Sequence, residues 1–91
     1  MKEDKILTKH PSGKSGKNIS REKYEMMKKL IIAALRNGEF THSELFERVG
    51  ANLRNGFDGN VNWYAETVKL DLEARRIIER TSSKPQKYRL I

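Results

Sequence analysis

Three groups of side chains in this sequence are of the types that carry out chemistry, and the first is Gly13-Lys14-Ser15. These residues match the end of a phosphate-binding loop, which finishes in Gly-Lys-Ser or Gly-Lys-Thr. Such a loop also needs a glycine five positions earlier, where this chain has Thr8. It needs a buried strand before the loop and a helix directly after it, and neither pattern is present. The match therefore does not predict a nucleotide-hydrolysing site.

The second and third groups are the histidines and the possible nucleophiles. His10 and His42 are the only histidines, the chain has no cysteine, and neither histidine has an acidic partner at a ligand-like spacing. Serine, histidine and acidic residues are all present, but no nucleophile elbow or triad pattern connects them. We therefore expect no catalytic residue, no metal site and no cofactor, and we expect that the protein is not an enzyme.

The length and composition limit the remaining classes. Ninety-one residues allow one domain, which buries about 60% of the surface of its unfolded chain. No apolar run approaches the roughly 18 to 20 residues of a membrane span, and the N-terminal segment lacks the apolar centre of a signal peptide. The absence of cysteine fits a reducing compartment. We expect a cytoplasmic protein without membrane contact.

The positive charge is concentrated at the two ends of the chain. The net charge is +7, of which residues 1–19 contribute +3, residues 20–74 contribute −1 and residues 75–91 contribute +5. Such segregation is typical of a protein that binds a polyanion. A solvated basic surface is the alternative interpretation.

The N-terminal segment, residues 1–19, is predicted to be a flexible basic arm. It is polar and contains Pro11, Gly13 and Gly16, and its only adjacent apolar residues are Ile6 and Leu7. The folded domain is then predicted to cover residues 20–91.

Two helices are indicated by their start signals. Ser20 can cap the first helix, which Asn37-Gly38 would terminate. Thr41 and Glu44 form a capping box at the start of the second helix. The apolar stripe of this helix extends to about Arg54, although an end at Gly50 is the alternative.

A third helix is predicted from about Asn60 to Arg75. At 100° per residue its core-facing positions are Val61, Tyr64, Ala65, Val68 and Leu72. Arg76 follows it, at a position where many related domains have glycine in a left-handed conformation. Arginine adopts that conformation at a cost of about 1 kcal/mol, so either the turn differs or a contact offsets the cost.

Two strands, residues 77–81 and 86–91, follow the third helix and are joined by the turn Ser82-Ser83-Lys84-Pro85. Residues 39–41 are a candidate for a short third strand. Three helices followed by a basic hairpin are typical of a winged helix-turn-helix domain, in the α+β class, with this hairpin as the wing.

A winged helix with this charge distribution favours duplex DNA as the partner and transcription regulation as the function. Side chains of the wing and the arm would contact phosphates, and a few polar side chains of the third helix would reach base edges. The predicted phosphate contacts are Arg80, Lys84, Lys87 and Arg89 in the wing, with Lys9, Lys14 and Lys17 in the arm. The predicted base contacts are Asn60, Asn62 and Thr67.

The third helix is nevertheless poor in cations. Between Gly59 and Ala74 it has one base, Lys69, and a net charge of −2. The side opposite its core stripe is also apolar, with Trp63, Thr67, Leu70 and Ala74. An apolar face of this kind is usually covered, here by the arm through Ile6 and Leu7, by a second copy of the chain, or by a protein partner. Trp63, Leu70 and Ala74 therefore support a second hypothesis, a protein-interaction module or homodimer.

A family resemblance supports the same fold as the order of helices and strands. Trp63-Tyr64, VKLDLEAR (68–75), IIER (77–80) and QKYRL (86–90) are similar to a winged-helix family. Together with HPSGKSGKNI (10–19), they resemble a small group of uncharacterised bacterial proteins of about this length. The resemblance covers residues 10–91 and implies the winged-helix fold, a fold that includes transcription regulators.

Overall fold

The computed structural model describes residues 4–53 and 57–91, which form three helices and two small antiparallel sheets. The predicted α+β class is confirmed at this level. No helix in the described ranges is long and apolar enough to cross a membrane. The elements are β1 (Lys5–Lys9), β2 (Ser15–Ser20), α1 (Arg21–Leu35), α2 (His42–Leu53), α3 (Val61–Ala74), β3 (Ile78–Arg80) and β4 (Tyr88–Leu90).

The helices begin where the start signals predict. The Ser20 side chain accepts a hydrogen bond from the backbone N–H of Lys23 at 3.4 Å. In the capping box, Glu44 accepts from the backbone N–H of Thr41 at 2.9 Å, and the Thr41 hydroxyl accepts from that of Glu44 at 3.2 Å. Each bond satisfies a backbone donor that the first helical turn leaves free. The second helix continues through Gly50 to Leu53, and Arg54 lies outside the described residues.

A single apolar core lies between the three helices and the C-terminal sheet. Ala65, Val68 and Leu72 of the predicted α3 stripe are fully buried, whereas Val61 and Tyr64 are half-buried. The remaining core residues are Ile19, Tyr24, Met27, Ile31, Ala34, Leu35, Leu45, Val49, Leu53, Ile78 and Tyr88.

One residue outside the two strands of the C-terminal sheet, Phe40, also pairs with it. Strands β3 and β4 pair antiparallel, with Ile78 opposite Leu90 and Arg80 opposite Tyr88. Phe40 then pairs with the other edge of β4: its N–H donates to the Tyr88 carbonyl at 3.2 Å and its carbonyl accepts from the Tyr88 N–H at 2.8 Å. The candidate third strand at 39–41 is therefore present as an isolated bridge at Phe40.

The prediction of a flexible arm over residues 1–19 is wrong for the described part of that segment. Strands β1 and β2 form an antiparallel hairpin, with Ile6 opposite Ile19, and it packs on α1 and α3. The buried Thr8 hydroxyl accepts from the Lys17 N–H at 2.8 Å. A Cβ at Gly16 would lie 1.7 Å from the Thr8 carbonyl oxygen, so only glycine permits this close approach.

The turn after α3 settles the question raised by Arg76. The Arg76 N–H donates to the Glu73 carbonyl at 3.1 Å, and the Ile77 N–H donates to the Leu72 carbonyl at 2.9 Å. This pair of bonds is the Schellman motif that commonly ends a helix. Arg76 occupies its left-handed position, at φ 60°, which costs an arginine about 1 kcal/mol. The turn is thus the usual one, formed without glycine.

Candidate nucleic-acid interface

The only cation of α3 is directed into the protein. Lys69 is 2% exposed, and its ammonium donates to the Tyr88 hydroxyl at 2.9 Å and pairs with Glu66 at 3.0 Å. It also lies 4.2 Å from the centre of the Tyr88 ring, within cation–π range. Lys69 therefore joins α3 to the C-terminal sheet and does not face a ligand in solution.

A buried carboxylate lies on the opposite flank of α3. Asp71 is 0% exposed and accepts from the backbone N–H of Lys9 at 2.8 Å and from Arg75 Nε at 2.9 and 3.0 Å. It also accepts a short hydrogen bond from the Tyr24 hydroxyl. Burial, followed by the bond to Asp71, raises the pKa of Tyr24, so this hydroxyl stays protonated as a donor. Asp71 thus joins the N-terminal hairpin, α1 and α3.

The outward face of α3 retains little charge. Trp63 is 43% exposed and packs edge-on against Tyr64, with ring centres 4.9 Å apart. Leu70, Thr67 and Ala74 are half-buried. The N-terminal hairpin borders the Ala74 end of this face, whereas Leu7, one of its expected covering residues, is itself 64% exposed. The hairpin therefore accounts for the Ala74 end but not for Trp63.

The predicted base contacts have different surroundings. Asn60 is the N-cap of α3, and its side-chain oxygen accepts from the Trp63 N–H at 2.9 Å. Asn62 is exposed in the first turn, and Thr67 is half-buried. Of these three residues, only Asn62 is both exposed and free of a capping role.

The predicted phosphate contacts of the C-terminal hairpin divide into two pairs. Arg80 donates to both oxygens of Glu73, at 3.0 and 3.2 Å, and Arg89 pairs with Glu79 at 2.7 Å and Glu39 at 3.3 Å. These hydrogen bonds raise the pKa values of both arginines. Within residues 4–53 and 57–91 neither Lys84 nor Lys87 forms an ion pair, with Lys84 exposed and Lys87 half-buried. The lysines are therefore the free cations of this hairpin.

Lys9, Lys14 and Lys17 are exposed on the N-terminal hairpin. That hairpin lies on the Asp71 flank of α3, and the C-terminal hairpin lies on the Lys69 flank. The structure consequently places α3 between two basic hairpins instead of beside one wing and a loose arm.

Sequence reasoning missed the buried roles of Lys69, Asp71 and Tyr24. A signal was available, because 100° per residue places Lys69 and Asp71 beside the core stripe of α3 and not opposite it. Charged residues at such flanking positions can reach partners on neighbouring elements. Across the part of the chain that the structure describes, no group of three His, Asp or Glu side chains could hold a metal ion.

Comparison with known proteins identifies one family. The chain matches the model of a family of unknown function, DUF6958, over residues 5–88. No curated protein and no solved structure matches it. Because the match runs from the start of β1 to the first residue of β4 and so covers most of the chain, the chain belongs to the DUF6958 family.

Proposed function

We propose that this protein is a winged helix-turn-helix domain that binds duplex DNA mainly through its phosphates, as a transcription regulator. The observation that carries the proposal is the bridge between Phe40 and Tyr88. It gives the order Phe40, β4, β3, with the bridging residue between α1 and α2 and the hairpin after α3. This order of helices and strands resembles that of a winged helix, with β3 and β4 as the wing.

The charges favour contact with phosphates over the reading of bases. Lys14 and Lys17 on one hairpin and Lys84 and Lys87 on the other are exposed or half-exposed lysines on either side of α3. The outward face of α3, which the structure describes completely, has no cation because Lys69 is buried. Phosphate contacts carry no direct sequence information, so the expected binding discriminates weakly between DNA sequences.

Salt dependence is the direct test of this mode. If these four lysines each neutralise one phosphate, log affinity for a random-sequence duplex falls with log salt with a slope of about −3.6. Replacing Lys84 and Lys87 by glutamate then weakens binding and makes the slope shallower. The matched control is Lys28→Glu with Lys29→Glu, the same change of charge on α1, outside both hairpins.

Two results would contradict the proposal. One is the absence of binding to duplex DNA at about 50 mM salt, a low concentration at which a phosphate-driven complex is much stronger than at physiological salt. The other is an equal loss of affinity in the α1 control, because that would reflect net charge alone and not the wing.

The exposure of Trp63 supports a second candidate, a homodimer or protein-interaction module that docks through Trp63 and Leu70. An indole that is 43% exposed, on the same face of α3 as a half-buried leucine about two turns away, offers the aromatic anchor typical of such interfaces. Leu70→Glu is expected to abolish a dimer in light scattering while a folded monomer remains. Leu7→Glu, on the N-terminal hairpin, is the matched control. A wild-type protein that stays monomeric at every concentration would eliminate the homodimer.

A further inference from the structure

A groove of about 600 Å³ lies between the turn of the N-terminal hairpin and the end of α3 with β3. Its volume is within the range of small-molecule sites. Its apolar lining includes Pro11, Ala74, Ile78 and Ile91, and its polar lining includes His10 and Arg76. The groove is separate from the lysines to which DNA binding is assigned.

Arg76 is the unusual residue of this groove. It holds a left-handed conformation at φ 60°, in a turn for which glycine is the residue without strain. Among the residues that the structure describes, its guanidinium forms no hydrogen bond or ion pair to offset that strain. Strained residues retained at a cavity are frequently functional, and an arginine side chain is well suited to a carboxylate or a phosphate.

The acidic side chains on the groove wall do not compete for Arg76. Glu73 is bound by Arg80 at 3.0 Å, and Glu79 is bound by Arg89 at 2.7 Å. Their charges are thus balanced by other arginines, which leaves Arg76 as the uncompensated charge among the described lining residues.

His10 supplies a second donor to the same groove. Its Nδ1 accepts from the Ser12 backbone N–H at 3.1 Å and lies 2.8 Å from the Ser12 hydroxyl. Because Nδ1 is an acceptor, the proton of the neutral ring is on Nε2, which is therefore a donor. A cation and an N–H donor consequently border one partly apolar cavity.

We propose that this groove binds a small organic anion, with its carboxylate or phosphate group on Arg76 and His10 and its apolar part against Pro11, Ala74 and Ile91. The bound molecule lies between the N-terminal hairpin and β3. It is a ligand in addition to DNA, and its binding requires no DNA.

The test is a titration of the full chain in the absence of DNA. The probes are phenyl phosphate, benzoate and inorganic phosphate, and binding is measured by calorimetry and by the chemical shifts of the backbone amides. Phenyl phosphate or benzoate is expected to bind more tightly than inorganic phosphate and to shift the amides of His10 and Arg76. The first two probes distinguish a phosphate group from a carboxylate.

Arg76→Gly is the decisive variant, because it removes the guanidinium and also the backbone strain. We expect a thermal midpoint at or above that of the wild type and a loss of affinity for the bound probe of about tenfold or more. Lys84→Ala removes one exposed cation elsewhere and is expected to leave this affinity unchanged.

Unchanged affinity in Arg76→Gly would overturn the proposal, as would the absence of saturable binding of all three probes in the millimolar range. Equal affinity for inorganic phosphate and phenyl phosphate would eliminate the apolar contact. None of these outcomes affects the DNA titration, whose variants lie in the wing.

Discussion

The two hairpins lie on opposite flanks of α3, and buried charged residues of that helix join it to each of them. The C-terminal hairpin accepts a hydrogen bond from Lys69 of α3. It also contributes Ile78 and Tyr88 to the core and pairs with Phe40. The N-terminal hairpin contributes Ile19 to the core and depends on Asp71 for its polar connection to α3. The C-terminal hairpin thus shares more of the apolar core, whereas the N-terminal hairpin has one fully buried apolar residue and a buried carboxylate as its hydrogen-bond partner on α3.

The largest expected effect comes from Asp71→Ala, which would remove the hydrogen-bond connection between the N-terminal hairpin and α3. The substitution leaves the Tyr24 hydroxyl and the Lys9 N–H without their acceptor and Arg75 without its partner, so the free energy of unfolding should fall by about 3 kcal/mol. Urea unfolding of the variant and the wild type measures this free energy. The control is Asp4→Ala, which breaks only the exposed Asp4–Arg21 pair and should cost under about 1 kcal/mol. Equal effects of the two changes would contradict the role of Asp71.

Gly16→Ala tests the N-terminal hairpin through its backbone. The new Cβ must displace the Thr8 carbonyl, and such overpacking should lower the free energy of unfolding by about 2 kcal/mol. Amide exchange should become faster in β1 and β2 first. Gly50→Ala is the contrasting control, because its Cβ meets no atom within 4 Å and α2 should gain about 1 kcal/mol. A Gly16→Ala protein as stable as the wild type would refute the close approach.

Lys69→Met tests the C-terminal side and should cost less, about 1.5 kcal/mol. Methionine retains most of the packing of the lysine stem but removes the donor to the Tyr88 hydroxyl, while the 42% exposed Glu66 carboxylate returns to water. Faster amide exchange should be confined to β4 and the neighbouring residues. A larger loss than that of Asp71→Ala would reverse the comparison.

The smallest effect concerns pH and the capping box of α2, beside the C-terminal hairpin. Hydrogen bonds from Thr41, with a contribution from Lys87, lower the pKa of Glu44 below its ordinary 4.5. A carboxyl with a lowered folded-state pKa stabilises the fold above its unfolded pKa, and this contribution is lost as the pH falls through the folded pKa. Glu44→Gln should therefore make the decline of the thermal midpoint on acidification shallower. Glu47→Gln, on the same helix, should change that slope less.

The sequence was sufficient for elements whose signals are local. Ser20 and the Thr41–Glu44 box lie at the helix starts they specify, and β3 and β4 lie within the two ranges predicted for the C-terminal strands. The left-handed position of Arg76 was one of the two alternatives that the sequence left open at the end of α3.

The N-terminal hairpin could not be predicted in the same way. Its strands are short and mostly polar, and they are stabilised by Asp71, which is 62 positions from its hydrogen-bond donor, Lys9. The candidate interface was affected for the same reason. Arg80 and Arg89 were assigned by charge, but their charge is balanced by acids that only the folded chain brings near.

Lys69 and Asp71 also restrict the rotation of α3 about its own axis. They are two positions apart, so their side chains point about 200° apart around the helix axis. A stripe of alanine, valine and leucine tolerates several rotational settings of a helix, because apolar contacts are not directional. A rotation that exchanged the two flanks would place an ammonium against the donating N–H of Lys9. The pair therefore selects one orientation of α3, a contribution to the uniqueness of the native state that is distinct from its contribution to stability.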